Sequence, residues 1–536
     1  MRLIENASDE KLRGGFYTPA QIADFILRWA MNSRTDYDIL EPSCGDGVFL
    51  ERIKVDNIRY GSIKAIELID SEAEKARGIK LPNTTIQTGD FLAYCNETTD
   101  RFDLIVGNPP YIRYQYFDKA QRAAAEGIFI RAGLRYSKLT NAWVPFIVGS
   151  SLLLKKKGKI GFVVPAEILQ VGYAKQLRNF LAHFYEKINI VSFRHLVFPG
   201  VQQEVVLLLC EKNGSGPHLI EHLELEYAKD LETLDVSKLK SPKKRIDFKS
   251  NKWTFYFLEQ DEIDFIEKLL NQKNILPIRS YATVEVGMTT GSNKFFTVPK
   301  SIVEQFNLQK YAKPMVGRSV QVSSVVFNRS DWRMNVDSGA KAYFLKFPER
   351  KELANNKSAL EYLKLGERDG IHEGYKCGIR DEWQIMPSAW VSDGLFIRRN
   401  NVYPRLIINE AGAYTTDTMH RVTPDKNVDI RAFVASYYNS LSFAFAEICG
   451  RSHGGGVLEL MPNEVENILL PYDARNASLL NRIDAMLRGG KSIDEVLVVT
   501  DAIILKERFS FSDSEIRLAN RIWKKLLARR MERNGS

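Results

Sequence analysis

The sequence predicts an α/β protein: a doubly wound, mostly parallel sheet followed by a second, α+β region. Three observations predict it. From Pro19 to Lys212, short apolar segments alternate with segments of helical periodicity, the pattern of stacked βαβ units. The apolar segments end on glycine, acidic or Asn-Pro residues rather than on ordinary linkers. A polar, basic stretch, "SKLKSPKKRIDFKSNKW" (Ser237–Trp253), then gives way to short strands, turns and basic or aromatic loops. Domains are expected at 1–245 and 246–536, since 536 residues exceed one ordinary core.

The elements follow in order. "PAQIADFILRWAM" carries apolar residues at helical spacing, with Thr18 as N-cap and Pro19 at the first helical position. "YDIL" is a short buried strand, and "EPSCGDGVFLERI" is a turn opening a helix. "SIKAIELI", "TIQTGDFL" and "FDLIV" are strands, and "NAWVPFIVGSSLLLKKKG" is a long helix. "KIGFVVP", "INIVSFRHL" and "EVVLLLCEK" complete seven strands, the last two pairing as an antiparallel edge across "VFPGVQQ". "DSEIRLANRIWKKLLARRMERNGS" closes the chain as a basic amphipathic helix that frays into a polar tail.

Composition narrows the class. Hydrophobic content of 44% and charged content of 26% are those of a globular protein, and a net charge of +9 suits a polyanionic partner if gathered on one face. The five cysteines, Cys44, Cys95, Cys210, Cys377 and Cys449, form no CxxC pair and have no clustered histidines, so neither a metal site nor a disulfide framework is expected. "MRLIENASDEKLRGG" is too polar for a signal peptide, and Ala142–Leu154 is too short to span a bilayer. A cytoplasmic protein with no membrane association is expected.

Four successive strand ends carry the chemistry. In a doubly wound sheet, ligands bind outside the carboxyl ends of the strands. After the first strand, Glu41, Pro42, Cys44, Gly45 and Gly47 form a turn whose glycines admit a ligand before the next helix presents its free amides. Such a G-x-G also fits nucleotide cofactors in general. Glu67 ends the second strand, placed to accept from ribose hydroxyls. Asp90 ends the third, with Phe91 beside it to face an adenine ring. Asn108, Pro109, Pro110 and Tyr111 end the fourth. Two prolines after a strand are on their own a mere stop; four such ends in succession are not accidental.

This series resembles the class I S-adenosylmethionine-dependent methyltransferases, whose Rossmann-like fold has a mixed seven-stranded sheet. More narrowly, it is similar to the gamma-type (TaqI-like) N6-adenine DNA methyltransferases of type II restriction-modification systems. "EPSCGDGVFL" looks like the family's cofactor motif and "NPPY" matches its catalytic motif in full. "FYTP" (Phe16, Tyr17, Thr18, Pro19) stands where the family places a segment against the cofactor's methionine end. "GKIGFVVPAEIL" and "LVFPGVQQEVVLLL" resemble later motifs, with Phe198 at an aromatic position. The likeness runs from Phe16 to Leu209; beyond it, only the general plan is similar.

The resemblance implies a reaction, and the residues give it a reason. The adenine amino group is a poor nucleophile because its lone pair is delocalised into the ring. If Asn108 Oδ1 and the Pro109 carbonyl each accept one N6 hydrogen, the lone pair is aimed at the sulfonium methyl. Pro109 brings no competing amide, and Pro110 fixes the carbonyl direction. Tyr111 offers a ring to a flipped-out base, with Phe198 as the second wall. The alternative is an RNA or protein (glutamine) N-methyltransferase using the same loop, though those chains lack a large basic second region. Cytosine-N4 enzymes usually carry Ser where this chain has Asn108.

The second region is expected to recognise double-stranded DNA. Its candidate contacts are Thr290, Asn293 and Lys294, then Arg318, then Arg398, Arg399 and Arg405, and finally Arg451 and His453. The E-x-K of Glu349 and Lys351 has no convincing strand-end aspartate upstream, so a modification subunit is expected, with any cognate endonuclease a separate protein and the enzyme a monomer.

Overall fold

The structure, a computed structural model, describes residues 17–31, 34–112, 114–137, 141–198, 204–239, 244–246, 252–453 and 455–532. It divides into two compact units, Met1–Ile263 and Asp264–Gly535.

The first unit is built on a mixed sheet of nine strands: β1 (Asp38–Glu41), β2 (Ser62–Glu67), β3 (Thr84–Thr88), β4 (Phe102–Gly107), β5 (Leu154–Pro165), β6 (Lys187–Phe193), β7 (Val205–Glu211), β8 (Leu219–Leu225) and β9 (Lys244–Arg245). Their order is 3-2-1-4-5-7-6-8-9. β1 is parallel to both β2 and β4, so the strand order reverses between β1 and β4 and opens a crevice at their carboxyl ends.

The seven expected strands are all present, but the sheet is wider than expected. β8 continues it parallel to β6, and β9 pairs antiparallel with β8. Their signals are weak in sequence: "LIEHLEL" is mostly half-buried, and β9 is two residues inside the basic stretch. Nor does the β6–β7 pair form an edge. β7 lies between β5 and β6, antiparallel to both, and its run "VVLLLC" is buried throughout as two-sided packing requires.

Among the described residues, seven helices accompany this sheet: α1 (Ala20–Ala30), α2 (Val48–Val55), α3 (Asp70–Gly78), α4 (Phe91–Glu97), α5 (Lys119–Arg131), α6 (Trp143–Leu152) and α7 (Lys175–Phe184). Pro19, not Thr18, caps α1, and no side chain bonds the cap. α6 stops at Leu152 because Lys155, expected in its tail, belongs to β5, where its Nζ binds Asp38 at 2.5 Å and Asp103 at 2.9 Å. Ile22, Phe25 and Ile26 of α1 and Phe49 and Ile53 of α2 bury against Ile39, Ala65, Leu104 and Val163. Each such side chain contributes roughly 1.5–3 kcal/mol of burial, which fixes the strand ends that α1 and α2 flank.

The second unit is α+β, as expected. A four-stranded antiparallel sheet runs Ala282–Val286, Met419–Pro424, Gly394–Ile397, Leu406–Ile408. A small sheet joins Arg399–Asn400, Val457–Glu459 and Arg451–His453. The C-terminal helix Asp513–Glu532 packs on helix Ser440–Cys449, where Arg530 binds both oxygens of Glu447, Nε at 3.1 Å and one terminal nitrogen at 2.7 Å, with both side chains at most 3% exposed. Among the described residues, no helix is long and apolar enough to cross a membrane.

Candidate active site

The carboxyl ends of β1 to β4 open on one cavity of about 660 Å³. Glu41 closes β1 at 2% exposure, and its Oε2 is buried without a hydrogen-bond partner among the described residues. Gly45 turns the chain at φ +54°, a left-handed conformation that favours glycine, with open space where a Cβ would stand. Its amide donates to Glu67 Oε2 at 2.9 Å, and the Ile69 amide donates to Glu67 Oε1 at 3.0 Å. Two backbone amides thus hold the carboxylate at the end of β2 in one orientation, each oxygen keeping a lone pair for a ligand.

Asp90 caps α4, accepting from the Leu92 amide at 2.8 Å, and burial raises its pKa. Phe91 lines the cavity with its ring 5.0 Å from that of Phe146. After β4, the Asn108 carbonyl accepts from Ser43 Oγ at 3.3 Å, tying the Asn-Pro-Pro-Tyr loop to the turn after β1. Asn108 Oδ1 is buried, and Asn108 and Pro110 both line the cavity.

Other expected residues stand further off. Gly47 is absent from the lining: it lies at φ +94° where a Cβ would meet Ile79 Cδ1 at 2.6 Å, so it serves the packing of α2 on α3 rather than ligand approach. Pro109, Tyr111 and Phe198 are also outside the lining. The Tyr111 hydroxyl donates to the Val163 carbonyl at 3.2 Å, and its ring packs against the cluster that buries Phe198. Tyr17 and Thr18 line the cavity, Tyr17 donating to Glu72 Oε2 at 3.3 Å; Pro19 stays at the cap of α1, and Phe16 lies outside the described residues.

Sequence reading missed Ser43, Asp46, Glu72, Tyr116, Phe117 and Phe146. The aromatic run after "NPPY" signals Tyr116 and Phe117. Phe146 carries no signal, because it reads as one more apolar residue of a buried helix.

The electrostatics choose the class of cofactor. Among the described residues, five carboxylates line the cavity, those of Glu41, Asp46, Glu67, Glu72 and Asp90, and no lysine, arginine or histidine does. A phosphate-bearing nucleotide would meet repulsion there; a ligand with an ammonium and a sulfonium would not. Burial, with Glu67 and Asp46 nearby, raises the Glu41 pKa well above the usual carboxylate range. The Cys44 thiol is likewise pushed up by burial and by Glu41, and is no nucleophile at neutral pH. The residues fit S-adenosylmethionine: Glu41 for its positive methionine end, Glu67 for ribose hydroxyls, Asp90 for the adenine amino group.

In the second unit the candidate DNA contacts divide. Asn293, Lys294 and Arg318 are exposed. Thr290 is not: it is 2% exposed, and its hydroxyl donates to Asn293 Oδ1 at 2.6 Å. Arg405 is also taken up by the fold, donating to the Val322 carbonyl at 2.9 Å and the Ser319 carbonyl at 2.8 Å. Arg398 and Arg399 share Glu459 Oε1 at 3.0 and 3.1 Å, though the Arg399 side chain stays 69% exposed. Arg451 pairs with Glu464 at 2.9 Å, on the same short strand as His453. Glu349 and Lys351 pair with each other at the start of a single 3-10 turn.

Comparison with known proteins agrees. Residues 47–198 match the family described as Eco57I restriction-modification methylase, and residues 250–505 match that described as type II methyltransferase M.Eco57I, C-terminal domain. Type II methyltransferase M.AccI of Acinetobacter calcoaceticus is 24% identical over 473 residues, 84% of each chain. M.BstVI of Geobacillus stearothermophilus is 30% identical over 225 residues, 34% of this chain and 38% of that protein. The cryo-EM structure of the DrdV–DNA complex shares the fold over 90% of this chain and 58% of that one, with a TM-score of 0.53 at 12% identity. The chain thus carries an Eco57I-type restriction-modification methylase domain and a C-terminal domain like that of M.Eco57I, and it is an S-adenosylmethionine-dependent DNA methyltransferase.

Proposed function

We propose that the protein methylates the N6 amino group of an adenine flipped out of double-stranded DNA at a specific site. One observation carries this reading: Asn108 and Pro110, on a loop held by Ser43, open into the same carboxylate-lined cavity as Glu41, Glu67 and Asp90. S-adenosylmethionine, when bound, supplies an electrophilic methyl group. The chain's own residues do the rest. Asn108 Oδ1 and the Pro109 carbonyl accept the two N6 hydrogens and turn the nitrogen lone pair toward the methyl. Tyr111, between the lining residues Pro110 and Ile112, stacks on the extruded base; Phe198, 4% exposed in the core cluster, is not given a face on it.

Residues 1–245 are assigned to catalysis and 246–536 to target recognition, in which Asn293, Lys294, Arg318 and Arg399 are the exposed candidates for DNA contact. The enzyme acts as a monomer in the cytoplasm and protects host DNA from a separate cognate endonuclease. Incubating the purified protein with methyl-labelled cofactor and unmodified genomic DNA tests this. Label in N6-methyl-2′-deoxyadenosine of the digested DNA is the expected result; label only in RNA or protein, under matched assays, contradicts it.

Two further outcomes follow from the geometry. Burial holds the Glu41 pKa above its ordinary value in the free protein and a neighbouring cation lowers it, so between those two values cofactor binding releases protons and tightens as pH rises. Calorimetry in buffers of different ionisation enthalpy measures that release, and Glu41→Gln removes it. Tyr111→Ala weakens base capture by about 1–3 kcal/mol with little change in cofactor affinity. Tyr111→Phe, which keeps the ring and gives up the hydroxyl bond to Val163, keeps most activity on duplex DNA.

A further inference from the structure

One helix of the second unit carries its charges where its own stability disfavours them. Arg329–Asp337 follows an Asn328 cap, whose Oδ1 accepts from the Ser330 and Asp331 amides at 2.8 and 3.1 Å. One side is built into the fold. Asp331 and Val336 are buried, Trp332 Nε1 donates to the Ala342 carbonyl at 2.8 Å, and Asn335 donates to the Gln321 carbonyl at 2.8 Å. Arg488 binds both oxygens of Asp331, at 2.7 and 2.8 Å. The other side, formed by Arg329, Ser330, Arg333, Met334 and Asp337, is exposed, Met334 at 55%.

Two features of that outer face weaken the helix. Arg329 is its first residue, where the macrodipole repels a cation, and Arg333 stands one turn on as a like charge. Among the described residues neither guanidinium has an ion pair or a side-chain hydrogen bond, Asp337 included, and the carboxylate of Asp331 is already taken by Arg488. Other exposed arginines of the unit are paired, Arg350 with Glu367 and Arg475 with Asp473. Arg318, exposed on the turn that Asn335 ties to the helix, adds a third cation without an ion pair among the described residues. A local choice that costs stability, with no compensating contact inside the fold, marks a face made for a partner, and this one is made for a polyanion.

We propose that this helix lies in the major groove of duplex DNA, with Arg333 and Met334 toward base edges and Arg329 on a phosphate. The placement rests on DNA being the substrate. The groove admits an α-helix, a guanidinium matches the paired acceptors of guanine, and an apolar side chain meets the thymine methyl. Helical RNA closes its major groove to side chains, so the same face does not suit it. An arginine on phosphate adds affinity without sequence preference.

Sequencing DNA from a methylation-free host that expresses each variant gives the methylated motif. Binding to a duplex carrying that motif, and to an unrelated duplex, is then measured across salt. Arg329→Gln is expected to weaken both duplexes alike and to lower the slope of log affinity against log salt by about one. Arg333→Ala is expected to weaken the motif duplex roughly tenfold and to methylate sites that differ from the original motif at one base pair. Arg333→Lys keeps the charge but loses the fork, so it relaxes the motif while holding the salt slope. Arg475→Gln, at an exposed but paired arginine, changes none of these. Arg329 and Arg333 variants that behave like Arg475→Gln overturn the docking, and lost affinity with an unchanged motif overturns base reading by Arg333. An unaltered enzyme that neither binds nor methylates DNA defeats the DNA reading itself, and the helix placement with it.

Discussion

Replacing Asn108 with Ala stops methyl transfer, with a loss of at least about 10²–10³ in kcat, the scale of removing one preorganised polar group at a reacting centre, while cofactor affinity changes little. The loop itself survives the substitution. Ser43 Oγ donates to the Asn108 main-chain carbonyl, an acceptor that Ala retains. Cofactor affinity survives because the carboxylates of Glu41, Glu67 and Asp90 lie on other strand ends. Single-turnover assays beside equilibrium cofactor binding separate these terms. A variant that lost both together would mean that Asn108 acts in holding the cavity and not on the amino group.

Replacing Arg530 with Ala destabilises the second unit by about 3–5 kcal/mol, the cost of leaving one member of a buried ion pair alone. Glu447 is buried, and its pKa is already raised by desolvation even with the guanidinium on both its oxygens. Without Arg530 the carboxyl must fold protonated. Its folded pKa then stands further above the unfolded one, so the penalty grows as pH rises above the unfolded carboxylate value and fades as pH falls toward it. Denaturant unfolding of Arg530→Ala across pH 5 to 8 reads this slope. The double variant Arg530→Met, Glu447→Leu recovers most of the loss, since it leaves no buried charge.

The catalytic half was legible because its chemistry sits at strand ends, where a few residues must be of one kind. "EPSCGDG", Glu67, Asp90 and "NPPY" each follow a short apolar run, and the fold gathers them on one cavity. Gly47 was misassigned since a glycine demanded by packing against Ile79 looks the same in sequence as one demanded by a ligand. β8 and β9 were invisible because an added strand that is only half-buried lacks the apolar run that marks the others.

The second half was legible only as a class. Arg405 and Arg318 read alike as basic loop residues, yet one is bound to two backbone carbonyls and the other is exposed. Thr290 likewise lies in a polar loop but is buried by tertiary contacts that no local pattern announces. Which basic residue reaches solvent depends on partners far away in the chain, such as Glu459 for Arg398.

The most direct test of the central claim is single-molecule sequencing of DNA from a methylation-free host expressing this chain, with Asn108→Ala as control. N6-methyladenine confined to one short motif in the first strain, and absent from the second, is the predicted result. Unmodified DNA in both, with the protein present and binding cofactor, contradicts it.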